Sequence, residues 1–423
     1  MPERAGGDGA ASDTREATRN VLWKAVVFVA SDILQKAQEI QDYVVRVKRE
    51  IHAHPELGMK EHATTALVKS ELADMGVEMV PLPSDVGVLG IIRGEGARQG
   101  TVSALRADMD ALPIQETADV PDRSTVPGVM HACGHDCHTA MLLGAAKILS
   151  SVKDRFSGVA KLIFQPAEET LDGSAHMIGL GVLDNPEVRY IFGLHGHSSY
   201  DVGQIALRSG PYMASSDFFT VRMTGVAGHG AYPHRTGCDP VMAASNAVMA
   251  IQSIVTQQID ALDNVVISVC QINGGTAKNI IPETVEFSGS VRCQSADTRK
   301  TIEERIRRIS ENVALTYGCT SALAYRYGVP PLANSPELTE WVRESARKLV
   351  GVENVREIGA AAMGSEDFSR YLDIVPQGVF ARLGINVPGR PRPVFHNGNF
   401  VFSEDALPYG TALFAQFVLD VNV

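Results

Sequence analysis

Short apolar segments that alternate with helical patterns constrain this chain more than any other feature. Residues 159–164 and 190–194 are short apolar runs, and residues 86–93 and 100–105 also read as strands. Residues 63–75 form an amphipathic helical pattern closed by Gly76, and residues 138–151 a helix with apolar or small residues on most sides. Apolar strands of this kind are covered on both faces, and strands alternating with helices build an α/β layer around a mainly parallel sheet.

The pattern changes near Ser215. Residues 218–225, 265–272, 284–292 and 320–327 read as strands, and residues 239–256 and 297–317 as helices. Asp239 is placed as an N-cap with Pro240 at the first helical position, and Gly318 stops the second helix. The order β-α-β-β-α-β is that of a ferredoxin-like sandwich. The chain therefore reads as a discontinuous α/β domain, residues 36–214 and 329–423, with an α+β domain inserted at 215–328. Residues 1–35 form an N-terminal extension, rich in Gly, Ala and mixed charges over residues 1–20 and expected to be partly disordered. The apolar run at residues 21–30 reads as the start of a first helix running to Val45 rather than as a signal segment.

Composition removes several classes of function. With 423 residues, 45% hydrophobic and 21% charged, the chain can bury a core and is not a disordered protein. A net charge of −11 and no basic tract argue against a nucleic-acid partner. No apolar run approaches the ~20 residues that span a bilayer, so no membrane partner is expected. Six scattered Cys suit a reducing compartment, and the expected location is cytoplasmic.

Four clusters carry chemistry. Met130-His131-Ala132-Cys133-Gly134-His135-Asp136-Cys137-His138 holds three His, two Cys and an Asp. Thiol, imidazole and carboxylate together are a transition-metal ligand set; the alternative is a helix-capping loop with buried Cys and His. Glu168 and Glu169 follow an apolar strand, where α/β folds place their sites. Adjacent residues point apart, so one can bind metal while the other acts as a base; the alternative is an acidic helix start. His195 closes another strand, and His396 is a lone His near the C-terminus. Together they supply about five ligands and a spare carboxylate, which suits two metals ~3.5–4 Å apart and metal-assisted hydrolysis.

Longer motifs add a resemblance. They include Arg49-Glu50-Ile51-His52-Ala53-His54-Pro55-Glu56-Leu57-Gly58, Arg106-Ala107-Asp108-Met109-Asp110-Ala111-Leu112-Pro113, His131-Ala132-Cys133-Gly134-His135-Asp136 and Gln165-Pro166-Ala167-Glu168-Glu169. Further carriers are Gly228-His229-Gly230-Ala231-Tyr232-Pro233-His234, Gly274-Gly275-Thr276-Ala277-Lys278-Asn279-Ile280-Ile281-Pro282 and Gly364-Ser365-Glu366-Asp367-Phe368-Ser369. The sequence resembles peptidase family M20, in the amidohydrolase branch with aminoacylases, hippurate hydrolases and auxin-conjugate hydrolases. The resemblance implies a di-metal α/β catalytic domain with an inserted lid that often dimerises. It implies two divalent ions (Mn, Zn, Co or Ni) on Cys133, His135, Glu169, His195 and His396, with Glu168 as general base toward a metal-activated water. Asp108 and Asp110 become residues that orient the metal ligands from behind. His229 becomes an oxyanion-holding residue that reaches an active site from the lid, sometimes across a dimer. Asn279 and Arg292 would hold a substrate carboxylate, and Gly364 would line the pocket.

The chain departs from the family pattern at three places. Cys137 stands where Gly is usual and adds a second thiol beside the site. Gly196-His197-Ser198 makes His197 a rival to His195. Residues after His396 lack the usual Pro and Asp. The implied reaction is hydrolysis of an N-acyl amino acid to an acid and an amino acid, by a homodimer or higher homo-oligomer. The alternatives are a metallo-exopeptidase acting on dipeptides, a thiol hydrolase built on Cys133, and a non-catalytic metal- or ligand-binding protein on the same scaffold.

Overall fold

A computed structural model of the chain describes residues 32–97 and 100–422. The expected disorder at residues 1–20 and the helix start at residues 21–30 lie outside the described residues. The chain is helical over residues 32–39, turns at Ile40, and continues as α1, Gln41–Ala53. Contacts divide it into two compact units. The first runs to Leu207 and resumes over Glu337–Glu357 and Gln377–Val423; the second is Arg208–Pro336 with Ile358–Pro376.

The first unit is an α/β layer. Its strands are β1 (Glu78–Val80), β2 (Val88–Arg93), β3 (Val102–Asp108), β4 (Val159–Gln165), β5 (Tyr190–Asp201), β6 (Ile205–Leu207), β7 (Val355–Glu357) and β8 (Gly378–Asn386). They form one sheet in the order β1-β2-β4-β3-β5-β8-β6-β7. The four central strands β4, β3, β5 and β8 are parallel. Antiparallel pairings lie outside them, β1–β2 and β2–β4 on one side and β8–β6 on the other. The sheet is thus mixed, with its parallel part at the centre.

β4 is not the unbroken apolar run expected at residues 159–164: it contains Lys161, which is fully buried. Its ammonium donates to the Val182 carbonyl at 3.1 Å and to the Asp184 carbonyl, so the buried charge keeps hydrogen-bond partners. Burial lowers its pKa to about 8.

The helices of this unit include α2 (His62–Asp74), α3 (His135–Ser151), α4 (Pro336–Val350) and α5 (Leu407–Val421). α3 is buried over most of its surface, which explains its small and apolar residues on nearly every side. At Gly144 an added Cβ would come within 2.8 Å of Val44 on α1 and 2.9 Å of Thr411 on α5. Glycine there lets three helices approach closely. Phe192 on β5 stacks on Phe417 of α5 with centroids 5.0 Å apart. Truncating such a buried ring to Ala costs about 3–5 kcal/mol.

The second unit contains an antiparallel four-stranded sheet in the order Val265–Gly274, Thr284–Cys293, Asp217–Thr224, Thr320–Arg326. Helices Pro240–Ser253 and Ala296–Thr316 complete the ferredoxin-like order, and their apolar faces pack with Phe219, Phe287 and Val221. Asp239 caps the first helix, accepting from Val241 N at 2.9 Å. Ser295 caps the second through Thr298 N at 3.2 Å. The segment Ile358–Pro376 belongs to this unit, tied by Ala362 N to Tyr212 O and Ala214 N to Gly364 O, each 2.9 Å. Among the described residues no helix is long and apolar enough to cross a membrane.

Candidate metal centre

β3, β4 and β5 run parallel and in register, with Arg106 beside both Ile163 and Gly193. Their C-terminal ends therefore open on one edge of the sheet, the usual place for a site in an α/β fold. Asp108 ends β3, Glu168 and Glu169 follow β4, and His195 lies on β5. Cys133 and His135 flank Gly134, which leads into α3 with φ +94°. A Cβ at Gly134 would sit 2.7 Å from the Phe402 ring. Glycine is required there both for the left-handed backbone and for space, and that turn lets Cys133 and His135 serve one site.

Three overlapping groups of donor atoms result. Within each of Cys133–His135–His195, Cys133–Glu169–His396 and His135–Glu168–Glu169, the donor atoms lie within 4.8 Å of one another. The first two groups share the Cys133 thiol. His197 joins none of these groups; its Nδ1 accepts from Ser199 N at 3.2 Å.

Hydrogen bonds prepare the imidazoles as donors. His135 Nδ1 lies 3.1 Å from Asp110 Oδ1, while its buried Nε2 has no hydrogen-bond partner among the described residues. His195 Nδ1 lies 2.7 Å from the Gly196 carbonyl, which fixes the proton there and leaves Nε2 as an acceptor 3.4 Å from Cys133 Sγ. Locking one nitrogen this way aims the other at a cation. His396 has φ +57°, is held by its own N–H to Ala132 O at 2.9 Å, and brings Nε2 to 3.2 Å from Glu169 Oε1.

Asp108, His135 and His138 form a further close group, but His138 is already engaged. Its Nδ1 is 2.7 Å from Asp108 Oδ1 and its Nε2 accepts from Gly196 N at 3.0 Å. It acts as a strut between β3 and β5. Asp108 also takes Arg106 Nη1 at 2.6 Å. Against its burial, His135, Arg106 and His138 hold Asp108 well below the usual carboxylate range.

Burial pushes the Cys133 thiol up to about 12. Burial thus opposes the thiolate, the nucleophilic form, and argues against the thiol-hydrolase reading; a bound cation would favour the thiolate. A thiol, two imidazoles with free lone pairs and a carboxylate fit borderline divalent ions. Cys137 is fully buried in the core, and burial holds its thiol well above the ordinary range. It is in none of the donor groups.

Behind the donors lies a buried polar layer. His52 Nδ1 is 2.8 Å from Asp136 and its Nε2 3.2 Å from Glu116. Burial opposes a charged His52, yet Asp136 and Glu116 raise it to about 9. Lys48 pairs with Asp122 at 2.5 Å. Arg49 and His52 sit in motifs visible in the sequence, but their partners Glu404, Asp136 and Glu116 lie far along the chain; Arg106 bridges its near neighbour Asp108 and the distant Gln165. The sequence reading missed Glu61. It directly precedes α2, but its side chain makes no cap bond; it accepts from Ala167 N at 2.8 Å instead.

The remaining candidates lie in the second unit. His229 pairs with Ile280 in a two-residue ladder, and Gly230 N donates to Asn279 O at 2.8 Å, so His229 and Asn279 are neighbours. Arg292 Nη1 donates to Ser365 Oγ at 2.9 Å, next to Gly364. Burial lowers the pKa of Arg292. The structure does not bring Asn279 and Arg292 together. Asn279 lies beyond the Thr284 end of the strand Thr284–Cys293 and Arg292 at its far end, separated by roughly 25 Å of extended chain.

Parallel central strands whose C-terminal edge gathers a thiol, imidazoles and paired carboxylates have the layout of a metal-dependent hydrolase. The model of peptidase family M20/M25/M40 matches residues 104–420. An IAA-amino acid hydrolase (ILR1-like 4) of Arabidopsis thaliana is 38% identical over 388 residues, covering 90% of this chain and 86% of its own. Thermostable carboxypeptidase 2 of Saccharolobus solfataricus is 40% identical over 400 residues, covering 92% and 98%. The crystal structure of a dinuclear metal-binding peptidase of Bacillus subtilis superposes with a TM-score of 0.79 at 32% identity, over 91% of this chain and 99% of that one. The chain belongs to peptidase family M20/M25/M40 and is a metal-dependent amidohydrolase.

Proposed function

We propose that this protein hydrolyses the amide bond of N-acyl amino acids, releasing a carboxylic acid and an amino acid. Two divalent ions, from Mn, Zn, Co or Ni, would be held by Cys133, His135, Glu169, His195 and His396. One observation carries this reading: two donor groups share Cys133, and Glu168 stands beside His135 and Glu169. The dinuclear peptidase supports the metal count, and the IAA-amino acid hydrolase supports the substrate class.

Bound ions would supply Lewis acidity toward the scissile carbonyl and acidify a nearby water. The protein's own residues do the rest. Glu168 takes the water's proton on a carboxylate oxygen and returns it to the leaving amine. Asp110 aims Glu168 and Glu169 by accepting both their amides at 3.0 Å. Asp108 fixes β3 and the imidazole of His138 behind the donors. Arg292, braced by Ser365, takes the substrate carboxylate through its planar guanidinium, with Gly364 lining that pocket. His229 donates to the developing oxyanion. Because His229 and Asn279 sit at the opposite end of a strand from Arg292, we assign the His229–Asn279 pair to the site of a second copy in a homodimer. In this reading the first unit is the catalytic domain and the second the lid and dimerisation domain.

The test is amine release by metal-stripped protein from a panel of N-acyl amino acids and dipeptides, with and without each of the four metals. Metal-dependent release from acyl amino acids supports the proposal. The carboxypeptidase relative favours a second reading, a metallo-exopeptidase, which release from dipeptides alone would support. No release with any metal overturns both.

A further inference from the structure

We propose that Glu61 is a positioning residue: it holds Ala167 in a left-handed backbone conformation and so aims Glu168 and Glu169. The inference rests on the roles proposed above for those two residues. Glu61 lies 106 residues from Ala167 and is in none of the donor groups.

The burial of Glu61 needs a reason. The residue is 0% exposed, and Oε2 has no hydrogen-bond partner among the described residues. Burying a carboxyl group costs free energy unless something is gained. Helix capping is not the gain, since the side chain caps nothing in α2. Its carboxyl accepts from backbone amides, its own and that of Met59 nearby and, across 106 residues of sequence, that of Ala167 at 2.8 Å.

That amide belongs to a strained residue. Ala167 has φ +56°. A non-glycine residue pays about 1–2 kcal/mol to sit there. Its position decides where the next two side chains point. The Glu168 and Glu169 amides both go to Asp110, at 3.0 Å each. Three consecutive amides are thus gripped by two carboxyl groups, Glu61 on the first and Asp110 on the other two.

Packing closes the turn from outside. A Cβ on Gly58 would come within 3.2 Å of both Ala167 Cα and Cβ. One on Gly173 would fall 1.6 Å from the Pro166 carbonyl. Gly173 N donates to Ala167 O at 3.0 Å. The turn has no slack, so an unheld Ala167 relaxes by rotating its own peptide planes, and these carry Glu168 and Glu169 with them.

Four variants test this. Glu61→Gln keeps an acceptor for the Ala167 amide. Glu61→Met keeps the shape, removes the acceptor and removes a buried carboxyl group, so it is chosen to fold. Ala167→Gly makes the left-handed backbone cheap, alone and in the Glu61→Met background. The expectation for Glu61→Met is a fall in kcat of about 10- to 100-fold with KM nearly unchanged. Co(II) affinity, read from its absorption, should weaken by about tenfold. Glu61→Gln should stay near wild type, and Ala167→Gly should recover much of the loss in the double variant.

Hydrogen exchange over residues 164–172 of the metal-free variants decides the inference without activity. Loss of protection there in Glu61→Met, retained in Glu61→Gln, supports it even if no substrate is found and the functional reading fails. Unchanged exchange, kcat and Co(II) affinity in Glu61→Met, with only a shifted melting temperature, overturns it.

Discussion

Asp110 Oδ1 lies 3.1 Å from His135 Nδ1 and the same oxygen accepts the Glu168 amide at 3.0 Å. One carboxylate therefore fixes both the tautomer of a proposed metal donor and the place of the proposed base. Asp110→Asn would turn an N–H₂ group toward donors that need an acceptor. We expect Mn(II) affinity to fall about 10- to 100-fold, as for other residues that orient a ligating His. Isothermal titration of metal-stripped protein measures it. Affinity equal to wild type would show that His135 keeps its tautomer without Asp110.

Glu168→Gln separates chemistry from binding. The amide cannot take a proton, while the backbone N–H of residue 168 still reaches Asp110. Turnover should fall by about 10³-fold, within the range for general acid–base groups. Metal content after dialysis should match wild type. A variant that retains full turnover would exclude Glu168 as the base.

Much of this centre could be read from the sequence, because its donors sit at strand ends or in one short run. Cys133 and His135 stand out through their clustered ligand chemistry, and Glu168, Glu169 and His195 through their places at strand ends; the family resemblance joins them into one proposed site. The rest depends on contacts across long sequence separations. Glu61 carries no signal in the sequence, because its partner, Ala167, is 106 residues away. His138 reads as one more His in a cluster, and only the paired strands reveal that it joins Asp108 to Gly196 N. Lys161 breaks an apolar run that conceals it, since the carbonyls it satisfies belong to a later loop. The antiparallel outer strands of the sheet also escaped notice, because strand direction leaves no mark in periodicity. The separation of Asn279 from Arg292 was legible: a strand of about nine residues stands between them in the sequence itself.

Stability should carry a signature of Glu61. Burial raises its pKa to about 7 from an ordinary 4.5. The folded state then holds this proton more tightly than the unfolded chain. Its contribution is fully present below about pH 4.5 and is lost as pH rises through about 7, a loss of roughly 3 kcal/mol at 1.36 kcal/mol per unit. Glu61→Gln abolishes that dependence. The difference in urea midpoint between variant and wild type should therefore grow in favour of the variant between pH 4.5 and 7.5. A difference that stays constant over that range would mean Glu61 titrates normally in the folded state.

Placing His229 in the site of a second copy gives a complementation test. A chain with His229→Ala keeps its own Glu168, and a chain with Glu168→Gln keeps its own His229. Each homodimer should be nearly inactive. Co-expression should form mixed dimers in which one site combines Glu168 of the first chain with His229 of the second. Activity in purified heterodimers, isolated with two different affinity tags, should approach half that of wild type. If His229 served its own chain's site, every site in the heterodimer would lack one of the two residues and no activity would return. Arg292→Ala provides the control. Arg292 belongs to the other end of the strand and is assigned to its own chain's site. A heterodimer of Arg292→Ala with Glu168→Gln should stay inactive, since one chain lacks the carboxylate clamp and the other the base.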